Sequence, residues 1–390
     1  MNHLSFMEKL LDDVGVEWLE LSNATSFNRG KRLVKSQLEE SGKYAVYQNS
    51  MTPLGYYHES NVDADSIFII CAGAAGEIGY SKDKIWAADD VYFATETEGL
   101  NCRYLYHFLL TQKTKIASQV RRASVPRLSK SVIEKLIIPI PCPSNPKKSL
   151  KIQAEIVRIL DAFTAMTAEL TAELNMRKTQ YNYYREKLLS FADEDVEWKT
   201  LGEIATYSKT RISAEKVCAK NYVGVDNLLQ NRAGKIESSH VPIAGNLTEY
   251  IKGDILIGNI RPYLKKIWHA DRNGGTNGDV LVIHVTDVLI DSKFLYQILA
   301  DDRFFEYNMQ HAKGAKMPRG NKDKIMEYKI PIPSSETQAR IVAILDKFDA
   351  LTNSITEGLP REIELRQQQY EYYRDLLLSF PKPEPTPASN

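Results

Sequence analysis

The stretch QYNYYREKLLSF, residues 180–191, recurs as QYEYYRDLLLSF at residues 369–380, with nine of twelve positions identical. A second pair of blocks lies upstream of these, QAEIVRILDAF at 153–163 and QARIVAILDKF at 338–348. Repeated blocks that occur in the same order indicate a tandem duplication. The sequence therefore predicts one structural frame that is built twice.

The residues between the repeated blocks do not repeat. Val-Glu-Trp opens both copies, at 16–18 and 196–198, yet GKYAVYQNSMTPLGYY (42–57) has no clear counterpart near NYVGVDNLLQNRAGKIE (221–237). A shared frame with divergent contents suits a protein that reads two different targets with one geometry. A duplicated enzyme would instead need the same chemical residues in both copies.

The variable modules are predicted to be α/β with much strand. Segments 66–71, 254–258 and 280–284 are short, β-branched and bounded by Gly or Asp, which is typical of strands. The repeated blocks are predicted to be helical, because their apolar residues recur at spacings of three and four, as in a coiled-coil seam. The seam residues are Ile152, Ile156, Leu160, Phe163, Thr167, Leu170 and Leu174, repeated as Ile341, Leu345, Phe348, Thr352 and Ile355.

The first helix contains Thr-Ala-Glu-Leu twice in a row, at residues 167–174. A four-residue unit advances slightly more than one turn, so adding or deleting one changes the helix length by about 6 Å and nearly keeps its face. Such a unit would act as a ruler between two modules; replication slippage in a tolerant surface helix is the alternative. The second helix differs, because Gly358 and Pro360 are expected to interrupt it.

Composition limits the class of protein. A chain of 390 residues that is 43% hydrophobic and 26% charged should form two or more domains with ordinary cores. No apolar run approaches the roughly 18 residues that a membrane span needs, and the N-terminus lacks a basic flank with an apolar core. We therefore expect a cytoplasmic protein with no membrane partner. The four cysteines form no CxxC pair, so buried free thiols are expected.

The formal net charge is zero, which ordinarily counts against a nucleic-acid binder, but its distribution is uneven. Residues 112–130 hold six basic residues and no acidic one, and residues 311–329 hold six basic and two acidic ones. Each run alone is typical of a solvated face. The runs are related, however, since ASVPRLSK (123–130) matches AKMPRGNK (315–322) and each leads into Ile-Pro-Ile-Pro.

The rival interpretation is an enzyme. Glycines 73, 76 and 79 follow a predicted strand but give GxxGxxG, not the GxGxxG of a dinucleotide site. A turn that lets the backbone approach DNA, or a plain hairpin, is favoured. The sequence also lacks the Asn-Pro-Pro-aromatic motif of adenine methylation, a GxxxxGK[ST] phosphate loop and the HExxH spacing of zinc ligands. The sequence therefore does not favour a catalytic role for this chain.

The paired frame, the Ile-Pro-Ile-Pro segments before the QAxIVxILDxF blocks, the TAELTAEL word and the terminal SITEGLPREIELRQQQYEYYRDLLLSF (354–380) resemble the specificity subunit of type I restriction-modification systems. The likeness is closest to the type IC subclass, whose central helix carries TAEL repeats, and it covers nearly the whole chain. It implies two α/β target recognition domains, separated by two long antiparallel coiled-coil helices with pseudo-twofold symmetry. Each domain would read half of a bipartite, asymmetric site in double-stranded DNA.

The same resemblance implies partners and cofactors. Two methyltransferase subunits would dock on the conserved helices, and restriction or motor subunits would join for cleavage. S-adenosylmethionine, ATP and Mg would be bound by these partners, and no cofactor or metal by this chain. A coiled-coil scaffold without DNA readout is the alternative, but it leaves two divergent modules with basic loops unexplained.

The resemblance also divides the chain. Residues 1–146 are predicted to form the first target recognition domain, 147–191 the central helix, 192–335 the second domain, 336–380 the distal helix and 381–390 a disordered Pro-rich tail.

Candidate DNA contacts follow from position and chemistry, because Arg, Asn and Gln reach base edges while Lys and backbone amides hold phosphates. In the first module they are Arg29, Lys31, Arg32, Gln48, Asn49, Arg121, Arg122 and Arg127. In the second they are Lys209, Arg211, Asn227, Asn259, Arg261, Tyr263, Lys265, Lys266, Arg272, Asn273, Lys316 and Arg319. The segment RPYLKK (261–266) is the strongest, because Pro262 stiffens a loop that directly follows a strand; a proline turn with solvated lysines is its alternative.

Two further sets of residues recur in both copies. Arg127 and Arg319 cannot explain differing specificity, so a phosphate contact or a role in the shared fold is expected of them. Six tyrosines on the repeated helices could stack on bases, but packing or docking of a partner is favoured. They are Tyr181, Tyr183, Tyr184, Tyr370, Tyr372 and Tyr373, of which Tyr181, Tyr184, Tyr370 and Tyr373 are the candidates for docking.

Overall fold

The computed structural model describes residues 15–94, 97–192, 194, 196–353 and 357–380. The chain divides into two compact units: unit 1 is Met1–Thr167 with Arg366–Asn390, and unit 2 is Ala168–Leu365. The segment that ends the chain therefore belongs with the first module. The predicted α/β class with a tandem internal repeat is confirmed.

The strands and helices follow one another in nearly the same order in both copies. The strands are β1 Val16–Glu20, β2 Asn28–Arg29, β3 Tyr44–Tyr47, β4 Gly55–Tyr57, β5 Ser66–Ile70, β6 Ile78–Ser81, β7 Trp86–Ala87, β8 Val91–Ala94, β9 Ile137–Pro141, β10 Glu197–Thr200, β11 Ala205–Tyr207, β12 Arg211–Ser213, β13 Tyr222–Val223, β14 Asn246–Tyr250, β15 Ile255–Gly258, β16 Ile267–His269, β17 Gly274–Thr276, β18 Val280–Val285 and β19 Lys329–Ile332. The α-helices are α1 Leu21–Ala24, α2 Cys102–Thr111, α3 Lys113–Ser118, α4 Lys130–Glu134, α5 Pro146–Leu188, α6 Leu201–Ile204, α7 Ser292–Leu299, α8 Asp302–Gln310, α9 Lys322–Met326, α10 Ser335–Thr352 and α11 Gly358–Leu377, with 3-10 turns at Lys35–Gln37, Ala214–Lys216 and Pro262–Leu264.

Unit 1 is built around the fully buried strand β5. Its sheets have the orders β1-β9, β2-β8-β5-β6 and β4-β3-β7, with only β3 and β7 running parallel. Ile67 and Ile69 lie in the core that includes Tyr104 of α2, while Phe68 and Ile70 belong to a second core. A strand that is covered on both faces reads as a continuous apolar run, which is why Ser66–Ile70 is recognisable in the sequence.

Unit 2 repeats this plan around β15. Its sheets have the orders β10-β19, β11-β18-β15-β16 and β12-β14-β17-β13, with β13 and β17 running parallel. Ile255 and Ile257 lie in the core that includes Phe294 of α7. Leu256 lies on the opposite face, in a core with Tyr250 and Val282.

A buried glutamine ties each conserved helix to its module, which explains why this residue is identical in both copies. Gln153 accepts a hydrogen bond from Asn101 N (2.8 Å) and donates one to Gly99 O (3.0 Å). Gln338 accepts one from Asp291 N (2.9 Å) and donates one to Leu289 O (3.0 Å). Both side chains are buried, so these bonds satisfy polar groups that have no access to water.

The repeated aromatic residues pair between copies. In unit 1, Phe163 of α5 stacks on Tyr373 of α11, with ring centroids 5.2 Å apart. In unit 2, Phe348 of α10 stacks on Tyr181 and Tyr184 of α5, at 5.7 and 5.6 Å. The tyrosine block at the end of one copy thus packs within the unit of the other copy.

The two conserved helical regions differ in continuity, as the sequence predicts. Helix α5 is unbroken over 43 residues, whereas α10 ends at Thr352 and α11 begins at Gly358. Gly358 has φ +73°, and a Cβ there would lie 2.4 Å from Ala350 O, so only glycine fits. Pro360 is tolerated in the first turn of α11.

Several expectations concern residues outside the cores. Cys71, Cys102 and Cys142 are buried free thiols as predicted, but Cys218 is exposed, so the prediction is wrong there. Within the described ranges, no helix is long and apolar enough to cross a membrane, and no group of three His, Cys, Asp or Glu residues could hold a metal ion. The predicted tail at 381–390 and seam residue Ile355 lie outside the described residues.

Candidate nucleic-acid interface

Unit 1 contains a place where a hairpin loop and a basic loop are joined backbone to backbone. The basic loop 121–128 closes on itself, because Arg121 and Arg127 exchange backbone hydrogen bonds of 2.8 and 3.1 Å. Further bonds tie this loop to the β5–β6 hairpin loop, residues 71–77. They run from Gly73 N to Pro126 O (3.1 Å) and from Leu128 N to Cys71 O (2.8 Å). We call these two loops junction 1.

Unit 2 contains the same arrangement. The basic loop 313–320 closes through two backbone bonds of 2.8 Å between Lys313 and Arg319. It is tied to the β15–β16 hairpin loop, residues 259–266. The tying bonds run from Arg261 N to Pro318 O (2.7 Å) and from Gly320 N to Asn259 O (3.1 Å). We call these two loops junction 2.

The backbone hydrogen bonds show which residues of the two junctions are equivalent. Comparison of the two halves of the sequence does not align these residues clearly. Gly73 and Arg261 occupy the same position, because each donates its N–H to the proline carbonyl of its basic loop. The preceding positions match as well: Cys71 N donates to Asp90 O and Asn259 N donates to Asp279 O, each at 2.8 Å. One backbone geometry thus carries a glycine turn in junction 1 and an arginine loop in junction 2.

The glycine turn of junction 1 is a hairpin packed against a candidate reader. Gly73 has φ +82°, and a Cβ there would lie 2.7 Å from Asn49 O. Ala74 N donates to the same carbonyl at 2.9 Å. The plain-hairpin interpretation therefore accounts for the glycines, and the close approach brings exposed Asn49 and half-buried Gln48 to junction 1.

The arginine loop of junction 2 is held in a strained conformation. Arg261 and Lys265 have φ +52° and +51°, a region that side chains other than glycine rarely adopt. The loop is latched from outside, since Leu264 O and Lys265 O accept bonds of 2.9 and 3.0 Å from the backbone of Asn231 and Arg232. Strain of this kind persists where surrounding contacts fix it, and it is common at functional sites.

The side chains of RPYLKK divide into two groups. Lys265 Nζ pairs with Asp302 (2.8 Å) and Lys266 Nζ donates to Val225 O (2.6 Å), and burial lowers the pKa of Lys266. Arg261 and Tyr263 are exposed, and within the described part of the chain the Arg261 guanidinium donates no hydrogen bond. The proline-turn alternative thus describes the two lysines, while Arg261 and Tyr263 remain available to a ligand.

Two predicted contacts from distant parts of the sequence, Arg29 and Arg127, lie near Cys71 of junction 1. Burial raises the pKa of the Cys71 thiol, whereas the nearby guanidinium groups of Arg29 and Arg127 lower it. Arg29 is held by a bond from Nε to Asp89 O (2.7 Å). The structure therefore brings two predicted contacts, separated by almost a hundred residues, to one spot.

The repeated arginines are exposed at equivalent positions of both basic loops. Arg319 Nη1 lies 2.7 Å from Asp279 Oδ1, and its backbone closes junction 2 as that of Arg127 closes junction 1. Their backbones thus serve the shared fold, and their side chains face solvent. Other candidates exposed to solvent are Lys31, Arg32, Arg121, Arg122, Lys209, Arg211 and Lys316.

The predicted contact Asn227 needs correction because it is buried, whereas Arg272 and Asn273 are exposed and stay predictions. Asn227 is 5% exposed, and its amide accepts from Gly224 N and donates to Tyr222 O and Ile236 O, so it stabilises its own loop. Arg272 and Asn273 lie beyond the end of β16 that is remote from junction 2. Arg272 pairs with Asp271, and Asn273 accepts a bond from Lys252 N (2.8 Å).

The tyrosines of the repeated helices also separate into two kinds. Tyr181 and Tyr370 are buried, 5% and 7% exposed, so packing accounts for them. Tyr184 is 38% exposed and Tyr373 is half-buried. Docking of a partner stays a prediction for these two.

Sequence reasoning missed two residues beneath junction 2, Asn308 and Gly320. Asn308 is 1% exposed, and both atoms of its amide group lack a hydrogen-bond partner among the described residues. Asn259, predicted as a DNA contact, is 5% exposed and its Oδ1 is likewise unpaired. No signal in the sequence predicts that Asn259 and Asn308 lie together, because they are almost fifty positions apart.

Comparison with known proteins gives consistent matches. The family of the type I restriction modification DNA specificity domain matches residues 15–177 and 193–365. The EcoR124I/EcoR124II type I restriction enzyme specificity subunit of Escherichia coli is 38% identical over 411 residues, covering 98% of this chain and 99% of the relative. A putative type I restriction enzyme specificity subunit of Haemophilus influenzae is 34% identical, with coverage of 97% and 99%.

Solved structures share the fold. The S subunit of a type I restriction-modification system from M. genitalium has a TM-score of 0.64 at 16% identity, covering 95% of this chain and 98% of that one. A chain from a structural study of type I R-M complex assembly and conformational transition has a TM-score of 0.55 at 12% identity, with coverage of 93% and 97%.

Proposed function

Because the chain belongs to the type I restriction-modification DNA specificity family, we propose that junctions 1 and 2 are the surfaces through which it reads a bipartite, asymmetric DNA site. The protein is a specificity subunit, and partner subunits carry out adenine-N6 methylation and DNA cleavage. Because the chain belongs to this family, the alternative of a coiled-coil scaffold without DNA readout is rejected. The observation that carries the proposal is that one hydrogen-bonded backbone geometry displays different side chains in the two units.

In junction 2, Arg261 is the principal base reader. Its exposed guanidinium can donate two parallel hydrogen bonds to guanine O6 and N7, a contact that contributes about 1–3 kcal/mol of discrimination. The loop that carries it has an αL backbone, and the Asn231 and Arg232 backbones hold that loop. Tyr263, 49% exposed in the same loop, supplies a flat apolar face beside it.

In junction 1, the hairpin turn has no side chain long enough to read a base at the position of Arg261. Gly73 and Ala74 instead let the backbone approach the DNA closely. Neighbouring side chains of junction 1 then contact the bases. Asn49 can pair bidentately with adenine, and Arg29 and Arg127 both lie near Cys71. The two units thus read different bases because different side chains occupy one frame.

The repeated arginines and the flanking lysines hold phosphates. Phosphate contacts position a protein on the duplex without reading its sequence, so identical residues in both units suit this role. Arg127 and Arg319 are exposed at equivalent positions, as such a contact requires.

The conserved helices serve partners and spacing. Two methyltransferase subunits dock along α5, α10 and α11, with Tyr184 and Tyr373 at the contact, and motor-nuclease subunits join them. S-adenosylmethionine, ATP and Mg are bound by those partners, in the cytoplasm. The TAEL unit of α5 sets the gap between half-sites, since each unit adds about 6 Å of helix.

Adenine-methylation mapping by long-read sequencing tests the proposal. A host is given this chain with its cognate methyltransferase subunit, as wild type, with Thr171–Leu174 deleted, or as Arg261→Ala. Wild type should mark a two-part motif. The deletion should shorten the gap and keep both half-sites, and Arg261→Ala should relax one position of one half-site.

Arg272→Ala is the matched control, because it removes the same charge from unit 2 at the remote end of β16. It should leave the motif unchanged. A continuous motif in wild type would contradict two-part reading. Equal effects of Arg261→Ala and Arg272→Ala would contradict the assignment of junction 2.

A further inference from the structure

Three equivalent positions beneath the junctions differ in chemistry between the units. The backbone bonds pair Cys71 with Asn259 and Leu128 with Gly320. Counting five residues back from Arg121 and Lys313, the first residues of the closed basic loops, also pairs Ile116 with Asn308. In unit 1 all three side chains are buried and apolar, with Ile116 and Leu128 in one core.

In unit 2 two amides converge on a glycine. A Cβ on Gly320 would lie 2.7 Å from Asn259 Oδ1 and 2.5 Å from Asn308 Oδ1, so the space that Leu128 fills in unit 1 is taken by polar groups. Asn259 Oδ1, Asn308 Oδ1 and Asn308 Nδ2 have no hydrogen-bond partner within the described residues. Buried polar groups are normally hydrogen-bonded, so this cluster requires an explanation.

The amides can satisfy one another by a polar bridge. Rotation of one amide group, whose oxygen and nitrogen are nearly indistinguishable in shape, turns a donor toward the other oxygen. One water molecule would serve the same purpose, because it donates two hydrogen bonds and accepts others. Both forms are uncharged and directional, unlike the apolar packing of Cys71, Ile116 and Leu128.

Resting on the function proposed above, we propose that Asn259 and Asn308 are positioning residues that fix the reading loop of junction 2 through a polar bridge at Gly320. Asn259 lies two residues before Arg261, and its carbonyl accepts the bond from Gly320, the neighbour of Arg319. The bridge therefore acts where the hairpin loop and the basic loop meet.

The need for such a bridge follows from the backbone. Gly73 adopts its positive φ without strain, whereas Arg261 adopts φ +52° against steric repulsion of its Cβ. A strained loop returns to a relaxed conformation unless neighbouring contacts over-determine it. Apolar packing only fills the space beneath the loop, whereas a hydrogen bond also fixes the orientation of the groups that it joins. Arg261 requires a loop of fixed orientation to contact a base.

The test uses the assembled complex of this chain with its methyltransferase subunits and short duplexes that carry the mapped site. Dissociation constants are measured for the cognate duplex and for duplexes with one base pair changed in either half-site. Asn308→Leu keeps the branching of the side chain but can neither donate nor accept a hydrogen bond, so it removes the bridge. It should lower discrimination at the half-site of unit 2 by about tenfold, within the range of one bidentate arginine–base contact, and leave the other half-site unchanged.

Two further variants separate positioning from stability. Ile283→Val, which trims a core residue of unit 2 that is fully buried, should lower the thermal midpoint and leave both discrimination ratios unchanged. The triple variant N259C/N308I/G320L carries the residues of unit 1. It should regain thermal stability without regaining discrimination. The apolar side chains restore the packing beneath the loop, but they supply no hydrogen bond to fix its orientation.

The outcomes are distinct. If Asn308→Leu behaves like Ile283→Val, or if the triple variant regains both stability and discrimination, the positioning role is wrong. If wild type discriminates at neither half-site, the proposed function itself fails. Loss at both half-sites in Asn308→Leu also overturns the inference, because the bridge belongs to unit 2 alone.

Discussion

The two units bury the same tyrosine against different partners. In unit 1 the Tyr370 hydroxyl lies 2.9 Å from His107 Nδ1, at the centre of a buried cluster. In unit 2 the corresponding Tyr181 accepts a hydrogen bond from Arg185, which also donates to Gln297, the counterpart of His107. A neutral ring therefore occupies the place where the other unit has an amide and a buried cation.

This difference shows what the duplication preserves. The frame keeps the positions at which polar groups are buried, and each unit satisfies them with its own chemistry. The junctions follow the same rule, with Gly73 in one unit and Arg261 in the other. Matched substitutions at equivalent positions should therefore have unequal effects, which is a direct test of the comparison.

The largest expected contrast lies between Arg185 and Arg374, which are equivalent in sequence. Arg185 is 5% exposed and donates to Gln297 and to Ala300 O (2.8 Å), so Arg185→Met leaves the buried Gln297 oxygen without its donor and leaves Ala300 O with the bond from Arg232 (3.2 Å). This should reduce the free energy of local opening of unit 2 by about 3 kcal/mol. Arg374 pairs with solvent-exposed Asp375, and Arg374→Met should change unit 1 by less than about 1 kcal/mol.

Hydrogen exchange measured by mass spectrometry checks this contrast. Amide protection in α7 reports on unit 2 and amide protection in α2 reports on unit 1, so each variant contains its own reference. Equal loss of protection from the two variants would mean that the buried cation has no special role in unit 2.

The next contrast concerns helix continuity. Gly358→Ala places a Cβ 2.4 Å from Ala350 O at a positive φ and should destabilise the protein by about 2–3 kcal/mol. Gly99 has a similar φ of +81° with no atom within 4 Å of a Cβ, so Gly99→Ala should destabilise it by only about 1 kcal/mol. Chemical denaturation of the assembled complex measures both. Equal values would show that the break between α10 and α11 is not sterically set.

Much of the frame could be predicted from the sequence, because repetition reveals it directly. The α/β class follows from the β-branched segments of the modules, and the interrupted distal helix follows from Gly358 and Pro360, which the central helix lacks. The register of Gly73 with Arg261 could not be predicted, because it is set by backbone hydrogen bonds and leaves no trace in residue identity. Asn227 misled for a related reason: a side-chain amide serves a buried turn as well as a base, and polarity does not report exposure.

A smaller contrast concerns the repeated arginines. Arg127→Gln and Arg319→Gln should each reduce the slope of log binding constant against log salt by about 0.9, because each removes one phosphate contact. Neither should change the methylated motif. Arg272→Gln, away from junction 2, should leave the slope unchanged. A motif altered by Arg127→Gln or Arg319→Gln would mean that the repeated arginine reads bases.

The smallest contrast is the pH dependence that His107 gives to unit 1. Burial lowers the pKa of His107 below its ordinary 6.5, with Asp161 opposing this and Arg103 and Arg374 adding to it. The neutral ring suits its site, since Nε2 can donate to Asp161 Oδ1 (2.9 Å) while Nδ1 accepts from Tyr370. The unfolded chain therefore binds this proton more readily than the folded unit. Stability is fully present above pH 6.5 and falls as pH drops from 6.5 toward the lowered pKa of the folded state.

His107→Gln gives unit 1 the residue that unit 2 carries. It should flatten the acid-side loss of amide protection in α2, after correction for the intrinsic exchange rate at each pH. The α7 response, to which the half-buried His269 of unit 2 contributes, should be the same in variant and wild type. If acid weakens α2 equally in both proteins, another group in unit 1 titrates. In that case the difference between His107 in unit 1 and Gln297 in unit 2 does not change how stability depends on pH.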